Sequence, residues 1–183
     1  MSALIVTIGL AFAGYVATYI NGLRLAQRQE RLARVNRQLS DLYGPLFALS
    51  ESSRRTFDAF KERHARPGGV SPFAHETPPT EEELAEWRLW VTTVFLPNNR
   101  AMRDLVVRHA DLLTEAEMPP LLLQLCAHVS GYEVTAARWA QGDYAEHLSV
   151  VWFPTDELGP YAREEFSKLK REQERLLGRR SGR

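Results

Sequence analysis

The side chains able to do chemistry are few, and their spacing argues against most kinds of catalysis. The chain has five histidines and one cysteine. Cys126 and His128 stand two positions apart in a helix-forming stretch, which aims them at different sides and makes a poor metal pair. His109 falls on an apolar helical face with Met102 and Leu113, the setting of a packed histidine with one hydrogen bond. His64, His75 and His147 lie near loops, with no carboxylate or cysteine at ligand spacing. The phosphate cradles G-x-G-x-x-G and G-x-x-x-x-G-K are missing, as are H-E-x-x-H, C-x-x-C and G-x-S-x-G. The expectation is a protein that is not an enzyme and uses no cofactor and no metal.

Aromatic residues are the remaining candidates for a site. Trp87, Trp90, Tyr132 and Trp139 would line one groove if their helices meet, with His128 and Arg138 as polar neighbours. Tryptophans at helical spacing also serve as core, because each buries a large area. Arg138 beside Trp139 is a pair of residue types common at the centre of partner surfaces. Groove and core both stand as readings of this set.

The elements that must position these residues begin with an apolar run. Residues 3–20 (ALIVTIGLAFAGYVATYI) carry no charge. As a helix they reach about 27 Å, close to the roughly 30 Å hydrocarbon core of a bilayer. Tyr19 sits where an interfacial aromatic belongs, and Thr7 and Thr18 can return their hydroxyl bonds to the preceding turn. A cleaved signal peptide would need a basic segment ahead of the run, yet only Met1 and Ser2 precede it. The positive charge lies behind it, in Arg24, Arg28, Arg31, Arg34 and Arg37. By the positive-inside rule these hold the following chain in the cytoplasm and leave the amino terminus outside. The same arginines suit contact with anionic lipid headgroups at the membrane surface. Gly9, Ala13 and Ala17 form one row of small residues along the span, and Gly14 and Thr18 begin another ending at Gly22. Such rows let two helices pack closely in lipid.

Behind the span, Leu25, Leu32, Val35, Leu39, Leu42, Leu46 and Leu49 step by threes and fours, with Arg28 the one interruption, as in a coiled-coil seam or a bundle helix. Gly44-Pro45 predicts a kink, since the stripe keeps its phase across the pair. Arg66-Pro67-Gly68-Gly69 ends that helix and opens a long loop over residues 66–79. Thr80 with Glu83 predicts a capping box. Pro97-Asn98-Asn99 predicts the end of that helix and the cap of the next, and Pro119-Pro120 opens another. The run 148–153 (LSVVWF) has no partner strand and reads as an apolar segment lying across a helical bundle. Gly159-Pro160 predicts a break before the last helix.

The formal charge is zero, but it is unevenly placed. The arginine segment after the span and the stretch from Lys168 to Arg183 are basic, and the body between them is acidic. That argues against a nucleic-acid partner for the body. A lone cysteine fits a reducing compartment.

Leu42-Tyr43-Gly44-Pro45-Leu46, Trp90 with Phe95-Leu96-Pro97-Asn98, His128 with Tyr132, Arg138-Trp139 with Gly142-Asp143-Tyr144, Phe153-Pro154, and Leu169 with Gln173 form a recurring set. In these elements the chain resembles a group of uncharacterised bacterial proteins with an N-terminal membrane helix and an all-helical cytoplasmic region. The resemblance implies that architecture and a place in the bacterial inner membrane; it implies no activity, cofactor or catalytic residue.

The sequence therefore predicts an all-α, single-pass protein. A transmembrane segment occupies 1–22, a basic coiled-coil-like juxtamembrane helix 23–45, a cytoplasmic bundle of about five helices 46–178 and a basic tail 179–183. The expected function is that of an interaction or scaffold protein, acting by self-association or as an accessory subunit of a membrane complex. Its expected partners are the bilayer and a second copy or another membrane protein. The alternative is a sensor or effector that binds a small ligand in the aromatic groove.

Overall fold

Two prolines that an ideal α-helix would exclude stand inside long helices, and a widened turn precedes each. A computed structural model describes residues 2–67 and 78–178, with the side chains of residues 2–9 and 11 outside that description. Helix α1 (Ser2–Arg37) passes into a π-helical turn, Gln38–Tyr43, and then directly into α2 (Gly44–Arg63). Proline lacks an N–H, and its ring crowds the carbonyl four residues back. Ahead of Pro45 the Gly44 N–H bonds to the Leu39 carbonyl five residues back, opening the ladder where the ring needs room. A side chain at 44 would overlap that Leu39 oxygen, so the position needs glycine.

The same device corrects one expectation. Helix α3 (Glu81–Trp90) does not end at Pro97-Asn98-Asn99; it continues through a π turn, Val91–Phe95, into α4 (Leu96–Arg108). Here the Leu96 N–H bonds to the Val91 carbonyl. The asparagines cap nothing: Asn99 is buried, and the Asn98 side-chain amide lies 3.4 Å from the Ser53 hydroxyl on α2. Gly159-Pro160 is also no break. Helix α6 (Thr155–Leu177) begins before it, with Pro160 in its second turn between the buried Leu158 and Ala162. Packing on both sides outweighs one missing backbone bond.

A short 3-10 turn, Ala110–Leu112, and helix α5 (Pro120–Ala140) complete an all-helical order with no strand among the described residues. Helix α2 packs along α6 and against α4, and α4 lies against α5. The core forms where these faces meet the first π turn, around Leu42, Leu46, Met102, Leu122, Leu125 and Leu158. Val35, Leu39, Leu42 and Leu46 of the apolar stripe are buried there, so the stripe serves this bundle from Val35 onward. Only its start stays free, with Leu25 55% exposed.

The Thr80–Glu83 capping box forms. Arg66 grips its glutamate with two bonds of 2.8 and 2.6 Å, tying the end of the α2 segment to the start of α3. Residues 68–77 of the intervening loop lie outside the described residues. Arg66, with the Thr80 backbone N–H, draws the Glu83 carboxyl down to about 2.

Toward its amino end α1 leaves the bundle. Leu10, Phe12, Tyr15, Tyr19, Ile20 and Leu23 are all exposed. The bonds that tie α1 to other helices begin only at Arg28. Among the described residues no helix is long and apolar enough to cross a membrane. Residues 3–9 and 11 of the predicted span have side chains outside that description.

Candidate functional site

The aromatic residues singled out by spacing fall in two clusters that share Trp87. Trp87, His128, Tyr132 and Trp139 face one another across α3 and α5, all buried. His128 and Tyr132 pack edge to face at 5.0 Å, and Tyr132 meets Trp139 at 6.4 Å. Trp90 joins Phe60 at 5.4 Å and Phe95 at 6.0 Å, and Trp87 packs on the same two rings at 5.6 and 5.8 Å, in a cluster that closes α2 onto α3. Arg138 is exposed at the end of α5, and its backbone carbonyl closes the turn by accepting from Gln141 and Asp143. Gly142 supplies the positive φ of 80° that this turn requires.

A strap of the chain's own backbone fills the space beside the first group. After Gly142 the chain turns back and runs along α5 without forming a strand. Trp139 Nε1 donates to the Glu146 carbonyl at 2.8 Å, and Trp87 Nε1 to the His147 carbonyl at 3.0 Å. His128 Nδ1 lies 2.7 Å from the Val151 carbonyl, and the Gln124 amide donates to that of Trp152 at 3.1 Å. Because a carbonyl only accepts, His128 must carry its proton on Nδ1. Burial lowers the His128 pKa below its ordinary value, against this one bond. Burial likewise pushes the Tyr132 hydroxyl up, partly offset by bonds from Trp87 and the Ser149 backbone. These polar atoms hold the strap in register: an irregular segment with no ladder of its own takes its hydrogen bonds from side chains.

The strap presses hardest at Gly131, where a Cβ would overlap the Ser149 hydroxyl. That hydroxyl donates to the His128 carbonyl at 3.1 Å and accepts from the Val151 N–H at 3.2 Å. Arg88 stacks over the Tyr144 ring at 4.2 Å and pairs with Glu81, fixing the strap's entry.

A second polar cluster carries no motif in the sequence. Tyr43, at the end of the first π turn, is fully buried, and its hydroxyl accepts from the Thr114 N–H at 3.1 Å. Glu115 accepts from Tyr43 at 3.4 Å and from Tyr161 at 3.2 Å. Thr114 donates to the buried Glu165 at 2.8 Å, and Lys168 holds the other oxygen of Glu165 at 2.6 Å. Burial raises the hydroxyl pKa of both tyrosines, so both stay protonated donors. With each carboxylate partnered, the arrangement works as a clamp between the 114–118 segment, the π turn and α6. Tyr43 next to Gly44-Pro45 was the only sequence signal; its partners are 71 to 118 residues away.

Of the remaining residues predicted to matter, Arg24, Arg28, Arg31 and Arg34 line a cleft of about 570 Å³ between α1 and the end of α6. Arg37 is exposed and outside it. Ala13, Gly14, Ala17 and Thr18 are exposed, and the Thr18 hydroxyl donates back to the Gly14 carbonyl at 2.9 Å. Gly9, the first position of its row, lies on α1 among the residues whose side chains are outside the description. The half-buried Cys126 thiol is pushed up by burial, unlike an activated nucleophile. No group of three or more histidine, cysteine or acidic side chains positioned to hold a metal occurs among the described residues.

Comparison with family models, with curated proteins and with solved structures finds no match to this chain.

Proposed function

We propose that this protein is a membrane-anchored helical interaction protein, tethered by the amino-terminal part of α1 and presenting its helical body to a protein partner. The carrying observation is that α1 leaves the bundle with Leu10, Phe12, Tyr15, Tyr19 and Ile20 exposed, immediately ahead of five arginines. Five such side chains on a helix that has left the bundle need a non-aqueous neighbour. A bilayer supplies one, and the arginine excess orients the chain with its amino terminus outside and its body in the cytoplasm. In a bacterium that membrane is the inner one.

The partner surface in this reading is the outward side of α5. Leu123, Ala127, Ser130, Val134 and Ala137 are exposed there, and none is charged. The strap extends the patch with Val150, 90% exposed, and Trp152, 73% exposed. The nearby acid Glu133 is already bound by Arg100 and Arg103. Tryptophan in such a setting is a common anchor of protein interfaces. Another subunit of a membrane complex or a second copy of this chain would cover it.

The test is a Val134→Glu substitution in the full-length protein, purified in mild detergent and followed by mass measurement and co-purification. The expected result is loss of the associated partner, or of the higher-mass species, with an unchanged melting temperature. A wild-type chain that is strictly monomeric and brings no membrane protein with it would contradict the proposal.

A further inference from the structure

We propose that the cleft between α1 and the carboxyl end of α6 is a binding site for a phosphate-bearing anion. Its walls carry Arg24, Arg28, Arg31 and Arg34 against a single acid, Glu30. Two of the arginines are held in place by neutral acceptors. Arg28 Nε donates to the Leu176 carbonyl at 2.7 Å, and the Arg34 guanidinium reaches the Asp111 carbonyl at 3.4 Å. A carbonyl orients a guanidinium without cancelling its charge, so both keep donors and a full positive charge for a ligand. Arg24 and Arg31 make no hydrogen bond or ion pair among the described residues, and neither does Glu30. The cleft therefore holds an uncompensated positive charge in a concave setting, with two arginines fixed and two unengaged.

Guanidinium groups match the several oxygens of a phosphate in a bidentate way, and four of them around one cleft fit such a group better than a lone carboxylate. The chain leaves α6 at Gly178, whose added Cβ would lie 3.5 Å from the Arg28 guanidinium.

Two sources can supply this chemistry. Arg24 stands about 6 Å along the helix beyond Ile20, within the headgroup zone, whereas Arg31 stands about 16 Å beyond it. An anionic lipid headgroup enters from the membrane end; a free phosphate compound enters from solvent. The lipid source rests on the membrane-tether reading above, and the anion site itself does not.

Full-length protein in neutral detergent is titrated separately with short-chain phosphatidylglycerol, with phosphatidylcholine of the same chain length, and with inorganic pyrophosphate. Binding is read from the arginine Nε–Hε resonances. The expected result is saturable movement of the Arg24 and Arg31 signals with an anionic ligand and none with the zwitterionic lipid. The double substitution Arg24→Gln with Arg31→Gln is expected to weaken that binding about thirtyfold. Its melting temperature should not change, since neither side chain holds a contact in the fold. A response to phosphatidylglycerol alone supports the site with a headgroup as its ligand. A response to pyrophosphate as well supports it with phosphate chemistry free of lipid. No response to either anion, or an equal response in the double variant, overturns the proposal. A chain that inserts into vesicles yet shows no anion preference separates that failure from a failure of the tether.

Discussion

Gly131 faces the strap without a side chain, and the Ser149 hydroxyl occupies the space that a Cβ would take. Gly131→Ala must therefore displace Ser149 and both bonds that its hydroxyl makes. The expected cost is about 1–3 kcal/mol in a denaturant titration, the usual range for overpacking. His128 controls the same strap through charge. Its folded pKa is depressed below 6.5, so below that value the unfolded chain binds more protons than the folded one. Its contribution is fully present above pH 6.5 and is lost as pH falls through the folded pKa. His128→Asn keeps a donor near the Val151 carbonyl and removes the titration. Thermal melts at pH 7.5 and 5.5 should show a smaller acid loss in the variant than in the wild type; equal losses would contradict this role.

At the level of elements, local chemistry predicted what local chemistry decides. The Thr80–Glu83 box and the Pro119-Pro120 start of α5 both appear where residue types placed them. Prolines misled twice, at Pro97 and Pro160, because a proline removes one bond and crowds one carbonyl but does not set the balance against packing. A π turn ahead of Pro97 and buried neighbours around Pro160 settle that balance, and both depend on distant residues. The same limit applies to the site. Residue type pointed to Trp87, Trp90, His128, Tyr132, Arg138 and Trp139 as one set, of which Trp90 packs on Phe60 and Phe95 and Arg138 is exposed, and it pointed to the 148–153 run as a segment across the bundle. That the run would lie against this group, its carbonyls bound by their ring nitrogens, was not legible, since backbone carbonyls leave no trace in residue type. The Arg66–Glu83 pair offers an element-scale test. The Glu83 carboxyl titrates at about 2 against 4.5 unfolded, so its stabilising effect is present above pH 4.5 and is lost as pH falls toward about 2. Denaturation midpoints between pH 5 and 2.5 should fall less steeply in Glu83→Gln than in the wild type.

Considered whole, the molecule is a lever more than a lid. Residues 2–63 form one continuous helical path, so no flexible linker separates the apolar end of α1 from the bundle. From Ile20 to Val35, the first stripe residue buried in the bundle, the helix rises about 22 Å. In the tether proposed above, the body stands at that height above the hydrocarbon boundary, and its partner must reach there too. The basic cleft lies along this stretch of α1, between its apolar end and the bundle.

The most direct test of the account is the fate of a carboxyl-terminal tag on the full-length protein. In bacterial cells the tag should stay with membranes through an alkaline carbonate wash, and it should resist added protease until the spheroplasts are broken open. Recovery of the chain in the supernatant without detergent, or cleavage of the tag in intact spheroplasts, would contradict the account at its base.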